Sequence, residues 1–157
     1  DLSLAEQPVR REDLDGMAEV RRRVDVPIMI DEGVFTLWDA EQALKKEACD
    51  IISVYPGKNG GVTVSKRITE MAAERGVYCA VGSNLELDPA TAAMCHLTVA
   101  TPGIAAERYH GDILGPLYHE ASIARNPVRF ASGFVRCPDG PGLGLEVDWD
   151  AVDRLKI

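Results

Sequence analysis

The chain has 157 residues, a formal net charge of −8 and a pI near 4.9, which excludes a nucleic-acid binder that works through bulk positive charge. Apolar residues make up 46% and charged ones 27%, a globular mixture that can bury a core, which excludes a disordered tail. No run of about 18 apolar residues is present to span a membrane. Residues 1–8 carry neither the basic nor the apolar region of a secretion signal, so a cytoplasmic protein is expected. Cys49, Cys79, Cys95 and Cys137 are far apart, without a C-x-x-C pair, and read as reduced, mostly buried thiols.

Short apolar runs alternate with amphipathic ones, the pattern of βα units that feed a parallel sheet. Leu2 to Ala5 reads as a strand, and Arg11 to Val24 as a helix with Leu14, Met17, Ala18 and Val24 on one face. Val26 to Ile30 is an unbroken apolar run suited to a strand buried on both faces. Asp39 is expected to cap a helix through Ala48, and Ile51 to Val54 to form the next strand. After Gly60-Gly61 a helix turns Val64, Ile68, Met71 and Ala72 inward until Gly76 stops it. Val77 to Val81 repeats the strand pattern, and Asp88-Pro89 opens an Ala-rich helix through about Val99. Asp112-Ile113-Leu114 reads as a fifth, very short strand. Beyond it, Ser132-Gly133 suggests a hairpin turn and Asp148 the cap of a terminal helix.

Glu6, Asp31, Tyr55, Ser83 and Asp112 each follow an apolar strand, at successive gaps of 25, 24, 28 and 29 residues. One βα unit fits each gap, so in a parallel sheet all five lie on the C-terminal edge, where α/β proteins place their chemistry. Two carboxylates on adjacent strands there can share a hard cation such as Mg²⁺; helix capping and ion pairing with arginine are the plainer uses of the same acids. Five strands leave open a small doubly wound sheet or the larger part of a (β/α)₈ barrel, which needs about 250 residues. Length favours the former, but the chain begins almost at a strand end.

Ala5-Glu6-Gln7-Pro8, Pro27-Ile28-Met29-Ile30-Asp31-Glu32 and Lys58-Asn59-Gly60-Gly61-Val62 resemble, in order, the fourth-strand and fifth-strand metal-ligand motifs and the turn after the sixth strand of the enolase superfamily, in its mandelate racemase and muconate lactonizing group. Gly82-Ser83-Asn84-Leu85-Glu86, with His96 ten residues on, resembles that family's seventh strand and helix. Asp112-Ile113-Leu114-Gly115-Pro116 resembles its eighth strand, and Gly140-Pro141-Gly142-Leu143-Gly144 its closing turn. The resemblance implies the C-terminal half of a (β/α)₈ barrel, strands four to eight, over residues 1–119. Residues 120–157 would return to an N-terminal α+β capping domain and end in a closing helix. The first three strands, the second-strand base and the first acidic ligand would come from upstream chain, because a half barrel leaves two sheet edges unpaired.

The activity implied by the resemblance is removal of the proton α to a carboxylate, through an enediolate, with Mg²⁺ stabilising the charge that develops. Glu6 and Asp31 carry over as two of three metal ligands, with Glu32 as the alternative to Asp31. Tyr55 stands where lactonizing enzymes and epimerases carry a lysine and mandelate-type racemases an aspartate. A phenol donates a proton but is a poor base near neutral pH, which disfavours two-base racemization. Ser83-Asn84 stands where a catalytic histidine would mark the mandelate branch. Cycloisomerization or dehydration from one face is therefore expected, with Tyr55 and Asp112 catalytic and Ser83, Asn84 and His110 binding a small carboxylate substrate. Lys58 and Glu86 read as supporting residues around the ligands, while His96 reads as packed and His119 has no assigned role. A homo-oligomer is expected. A racemase or epimerase, or a non-catalytic α/β module derived from such an enzyme, remains the alternative.

Overall fold

The computed structural model describes residues 2–156. Four parallel strands, β1 (Ala5–Glu6), β2 (Ile28–Ile30), β3 (Ile51–Val54) and β4 (Tyr78–Val81), lie side by side in chain order. Helix α1 (Leu14–Arg23) joins β1 to β2, α2 (Leu37–Lys45) joins β2 to β3, and the single turn α3 (Pro56–Asn59) with α4 (Val62–Ala73) joins β3 to β4. Helix α5 (Asp88–Ala100) follows β4. A hairpin of β5 (Arg129–Ala131) and β6 (Phe134–Arg136) and helix α6 (Trp149–Arg154) complete the chain.

Strand alternation sorts the core into two layers. Ile28, Ile30, Ile52, Val54, Cys79 and Val81 face the helices and pack with Met17, Ala43, Leu44, Ile68 and Met94. Met29, Ile51 and Ala80 face the other way, into a smaller cluster with Tyr109 and the partly buried Leu4. A fully closed isoleucine such as Ile52 or Ile68 contributes about 1.5–3 kcal/mol, so the outer layer carries most of the stability. Glu6, Asp31 and Gly82 lie two residues from Leu4, Met29 and Ala80, and so share the inner parity, whereas Tyr55, just past the end of β3, packs with the helix-side cluster.

Three expected boundaries shift for identifiable reasons. Strand β1 starts at Ala5, later than its apolar run, because β2 begins only at Ile28 and Pro27 offers a carbonyl, taken by the Ala5 N–H at 2.9 Å, but no N–H of its own. Thr36 caps α2, and Asp39 is its third residue, returning a hydrogen bond to the Thr36 N–H at 2.8 Å in a reciprocal capping box. Val24 leaves the helical face expected of it: it is extended, 43% exposed, and turns the chain toward β2.

The fifth strand expected at Asp112–Leu114 does not form. Its place beside β4 is filled by two separate contacts, a parallel bridge between Ile104 and Cys79 and a 2.8 Å bond from the Asp112 N–H to the Val81 carbonyl. Between them a turn at 105–109 leaves the sheet, held where the Arg108 guanidinium lies 4.8 Å and 5.2 Å from the Tyr78 and Tyr109 ring centres. Leu114 then enters a 3₁₀ turn, Gly115–Tyr118, in which Pro116 has no N–H for a ladder. Ser132 and Gly133, with φ of 50° and 81°, make the two-residue turn of the β5–β6 hairpin, and Asp148 caps α6 through the Ala151 N–H at 3.0 Å.

Candidate active site at the strand ends

Lys58 organises this edge of the sheet. Its side chain is 1% exposed, and Nζ donates to Asp31 Oδ1 at 2.6 Å, to the Asp31 carbonyl at 2.9 Å and to the Ser53 carbonyl at 2.7 Å. Three acceptors use all three ammonium protons, so Lys58 is a charged lock with no lone pair for a base. Burial pulls its pKa down, while Asp31, in contact with it, pulls the other way. Nζ also lies 4.9 Å from the centre of the Tyr55 ring.

Gln7 and Asn59 hold the loops that carry these groups. Gln7 Oε1 accepts from the Asp31 N–H at 2.9 Å and the Gly33 N–H at 3.1 Å. Asn59 donates to the Val34 and Phe35 carbonyls at 3.2 and 3.1 Å and accepts from the Tyr55 N–H at 3.0 Å. The β2–α2 and β3–α3 turns are thereby fastened together.

Glu6 is solvent-open, and its proton affinity is raised first by partial burial and then by Asp31, Glu32 and Asp112, against the pull of Lys58. Four carboxylates therefore share one electrostatic neighbourhood. Asp31 has the inner parity and touches Lys58, whereas Glu32 lines a rim cleft with Arg11, Phe35 and Trp38. Hard oxygen donors crowded by like charge fit a divalent cation. Among the described residues no three His, Cys, Asp or Glu side chains gather as a metal site; Glu6 and Asp31 offer the oxygen donors that such a cation takes.

Tyr55 is buried, with its hydroxyl 3.4 Å from Asn84 Oδ1. Burial, followed by the charges of Asp31, Glu32, Glu86 and Glu6, pushes its pKa above the ordinary phenol value and keeps it protonated. Gly82 leaves room for it, since a Cβ there would stand 2.8 Å from the Tyr55 ring and 2.3 Å from Ser53 Oγ. Ser83 donates to Glu86 Oε2 at 2.7 Å and accepts from the Leu85 N–H at 2.8 Å, so its only proton is committed inside the loop. Asp112 reaches the Glu6 field from the far side of β4. The expected substrate contact His110 lines a groove between α5 and the hairpin that none of these four carboxylates lines. His96 is packed against Leu143 and Cys137, and His119 Nε2 lies 2.7 Å from the Leu85 carbonyl.

A family model described as enolase C-terminal domain-like matches residues 1–151. The chain belongs to the enolase superfamily. Within its mandelate racemase and muconate lactonizing group, this superfamily member is 37% identical to muconate cycloisomerase 1 of Rhodococcus opacus over 151 residues, 96% of this chain and 40% of that protein. It is 32% identical to the N-succinyl-L-Arg/Lys racemase of Bacillus cereus over 152 residues, 97% of this chain and 40% of the racemase. The crystal structure of that racemase superposes with a TM-score of 0.92 at 30% identity, covering all of this chain and 41% of its own. The muconate lactonizing enzyme of Pseudomonas putida gives a TM-score of 0.91 at 27% identity, over 98% of this chain and 42% of its own. The chain thus spans about two-fifths of the length of these relatives and corresponds to the C-terminal portion of their barrel.

Gln7, Asn59 and Asp88 were given no role in the site by the sequence. Asp88 was legible only as a helix opener, yet it is fully buried and accepts from the Val128 N–H at 2.9 Å and the Ser122 hydroxyl at 2.7 Å, fastening the C-terminal segment to α5. The signal available for Gln7 and Asn59 was their place inside the motifs, each directly after Glu6 or Lys58.

Proposed function

We propose that this chain is the C-terminal part of a Mg²⁺-dependent enzyme that removes the proton α to the carboxylate of a small substrate and completes the reaction from one face, as a cycloisomerase or hydroxy-acid dehydratase. The observation that carries this reading is Tyr55, a buried phenol held protonated at the end of β3, between the Lys58–Asp31 pair and Asn84. Such a wall supplies a proton or a hydrogen bond and no base.

Glu6 and Asp31 are assigned as two of the metal ligands, Asp31 being preferred to Glu32 for its inner parity and its contact with Lys58. Mg²⁺ bound there would supply the positive charge that favours ionisation of the substrate next to its carboxylate. Lys58 holds the Asp31 carboxylate in position, and Gln7 holds the backbone beneath it. Asn84 orients the Tyr55 hydroxyl, and Asp112 is placed to accept a hydrogen bond from substrate or to act as an acid. Ser83 acts through Glu86 and does not contact substrate. The base, the third ligand and the first three strands are assigned to chain upstream of β1, which among the described residues pairs with β2 alone. Residues 120–157 are assigned to packing against a cap that selects the substrate, in a cytoplasmic homo-oligomer.

The relatives include a racemase and epimerases, that of Bacillus subtilis being an L-Ala-D/L-Glu epimerase. A racemase needs a base on each face, and Tyr55 occupies one of those faces. The test is the full-length protein with Mg²⁺ in D₂O, supplied separately with each stereoisomer of a panel of small carboxylates. Turnover or deuterium uptake from one stereoisomer, with kcat reduced at least about tenfold in Tyr55→Phe, is expected. Interconversion of both stereoisomers overturns the reading.

A further inference from the structure

The turn after Asp112 runs along the loop that leaves β4, and His119 ties the two together. The Asp112 N–H is held by the Val81 carbonyl at the end of β4, and the 3₁₀ turn Gly115–Tyr118 then carries the chain past residues 83–86. Contact between them is close. A Cβ on Gly115 would stand 2.6 Å from the Glu86 nitrogen and overlap the Glu86 carbonyl oxygen, which already accepts from the Thr91 hydroxyl at 3.0 Å. Just past the turn, His119 Nε2 lies 2.7 Å from the Leu85 carbonyl. A carbonyl only accepts, so Nε2 carries the proton and is the donor.

Leu85 is the residue that needs such a tie. Its φ is 61°, the left-handed region in which a Cβ crowds the following carbonyl oxygen. Its side chain is 44% exposed, so within this chain hydrogen bonds rather than packing fix its backbone. Side chains take both of its main-chain groups, Ser83 Oγ the N–H at 2.8 Å and His119 the carbonyl. Ser83 belongs to the same loop and moves with it, whereas His119 is 34 residues further along the chain and anchors the loop from outside. Strained residues persist where their surroundings over-determine them, and they gather at functional sites. The neighbours of Leu85 show what this strain presents. Asn84 accepts from the Tyr55 hydroxyl at 3.4 Å, and Glu86 adds to the charge that keeps the phenol protonated.

We propose that His119 is a positioning residue for the reaction: by holding the Leu85 carbonyl it fixes the left-handed turn that sets Asn84 against the Tyr55 hydroxyl. The proposal rests on the role assigned to Tyr55 above. Among the described residues the His119 ring bonds to Leu85 and to neither Tyr55 nor a candidate metal ligand, so its effect falls on turnover and not on substrate affinity. The role needs no access to solvent and holds equally beneath a cap.

The test uses the full-length protein with the substrate that the stereoisomer panel yields, and hydrogen exchange as a readout that needs no substrate. His119→Phe keeps a ring and loses the donor, while His119→Gln keeps a donor for the carbonyl. In His119→Phe, kcat should fall at least about fivefold with KM within about twofold, and the Leu85 amide should exchange at least about fivefold faster with α4 unchanged. His119→Gln should restore most of both. Leu85→Gly removes the cost of the left-handed turn, so in that background His119→Phe should change kcat by less than about twofold. An unchanged kcat or an unchanged Leu85 exchange rate in His119→Phe, an equal loss in the Leu85→Gly background, or an effect confined to KM overturns the proposal. Full activity in Tyr55→Phe overturns the role of Tyr55 on which the proposal rests, whereas full activity in His119→Phe beside an impaired Tyr55→Phe overturns this proposal alone.

Discussion

Lys58 and Asp31 form an asymmetric pair: the ammonium is closed to solvent at 1% exposure, while the carboxylate it holds at 2.6 Å is 14% exposed. Removing either partner therefore has unequal consequences. Asp31→Leu strands a buried charge beside two main-chain carbonyls and should cost about 3–5 kcal/mol. Lys58→Met leaves a carboxylate with access to water and should cost less. Urea unfolding of the full-length protein checks the order, and a reversed order contradicts the assignment of Lys58 as the buried member.

Gln7 is expected to act on Asp31 through the backbone. Gln7→Leu leaves the Asp31 and Gly33 amides without their acceptor and should lower stability by about 1–3 kcal/mol. Hydrogen exchange should quicken at residues 31–33 and remain unchanged in α4. Uniform acceleration along the chain would mean that Gln7 is only a packing residue.

Burial raises the thiols of Cys49 and Cys79 from 9.0 to about 12. Because the folded pKa lies above the unfolded one, their stabilising effect is complete below pH 9 and is lost as the pH rises toward about 12. Each pH unit in that window should remove roughly 1–2 kcal/mol per thiol. A Cys49→Ala/Cys79→Ala variant lacks this titration, so its deficit relative to wild type should shrink between pH 8 and pH 10.5 in urea titrations, figures set about the ordinary thiol value. A constant deficit would show that the two thiols ionise equally in both states.

The residues that carry the repeat were legible because each is a local event. Ile51 to Val54 is a strand bounded as its apolar run predicts, and Gly60-Gly61 marks the start of α4. Glu6, Asp31 and Tyr55 were legible as one edge from their spacing alone, each standing at or just past the end of its strand. Contacts that join distant segments were not legible. The Asp112 run looks like a strand, yet the Arg108 stack on Tyr78 and Tyr109 decides where the chain rejoins β4. Lys58 read as a supporting residue, but its three acceptors come from the turn after β2 and from strand β3, whose proximity only the fold supplies.

Whether carboxylates of this chain hold the metal is decided by Mg²⁺ titration calorimetry on the full-length protein. Glu6→Gln should weaken Mg²⁺ binding at least about tenfold while Glu32→Gln leaves it near the wild-type value, as expected when one of few hard oxygen ligands is lost and a bystander is not. Unchanged affinity in Glu6→Gln would contradict the account.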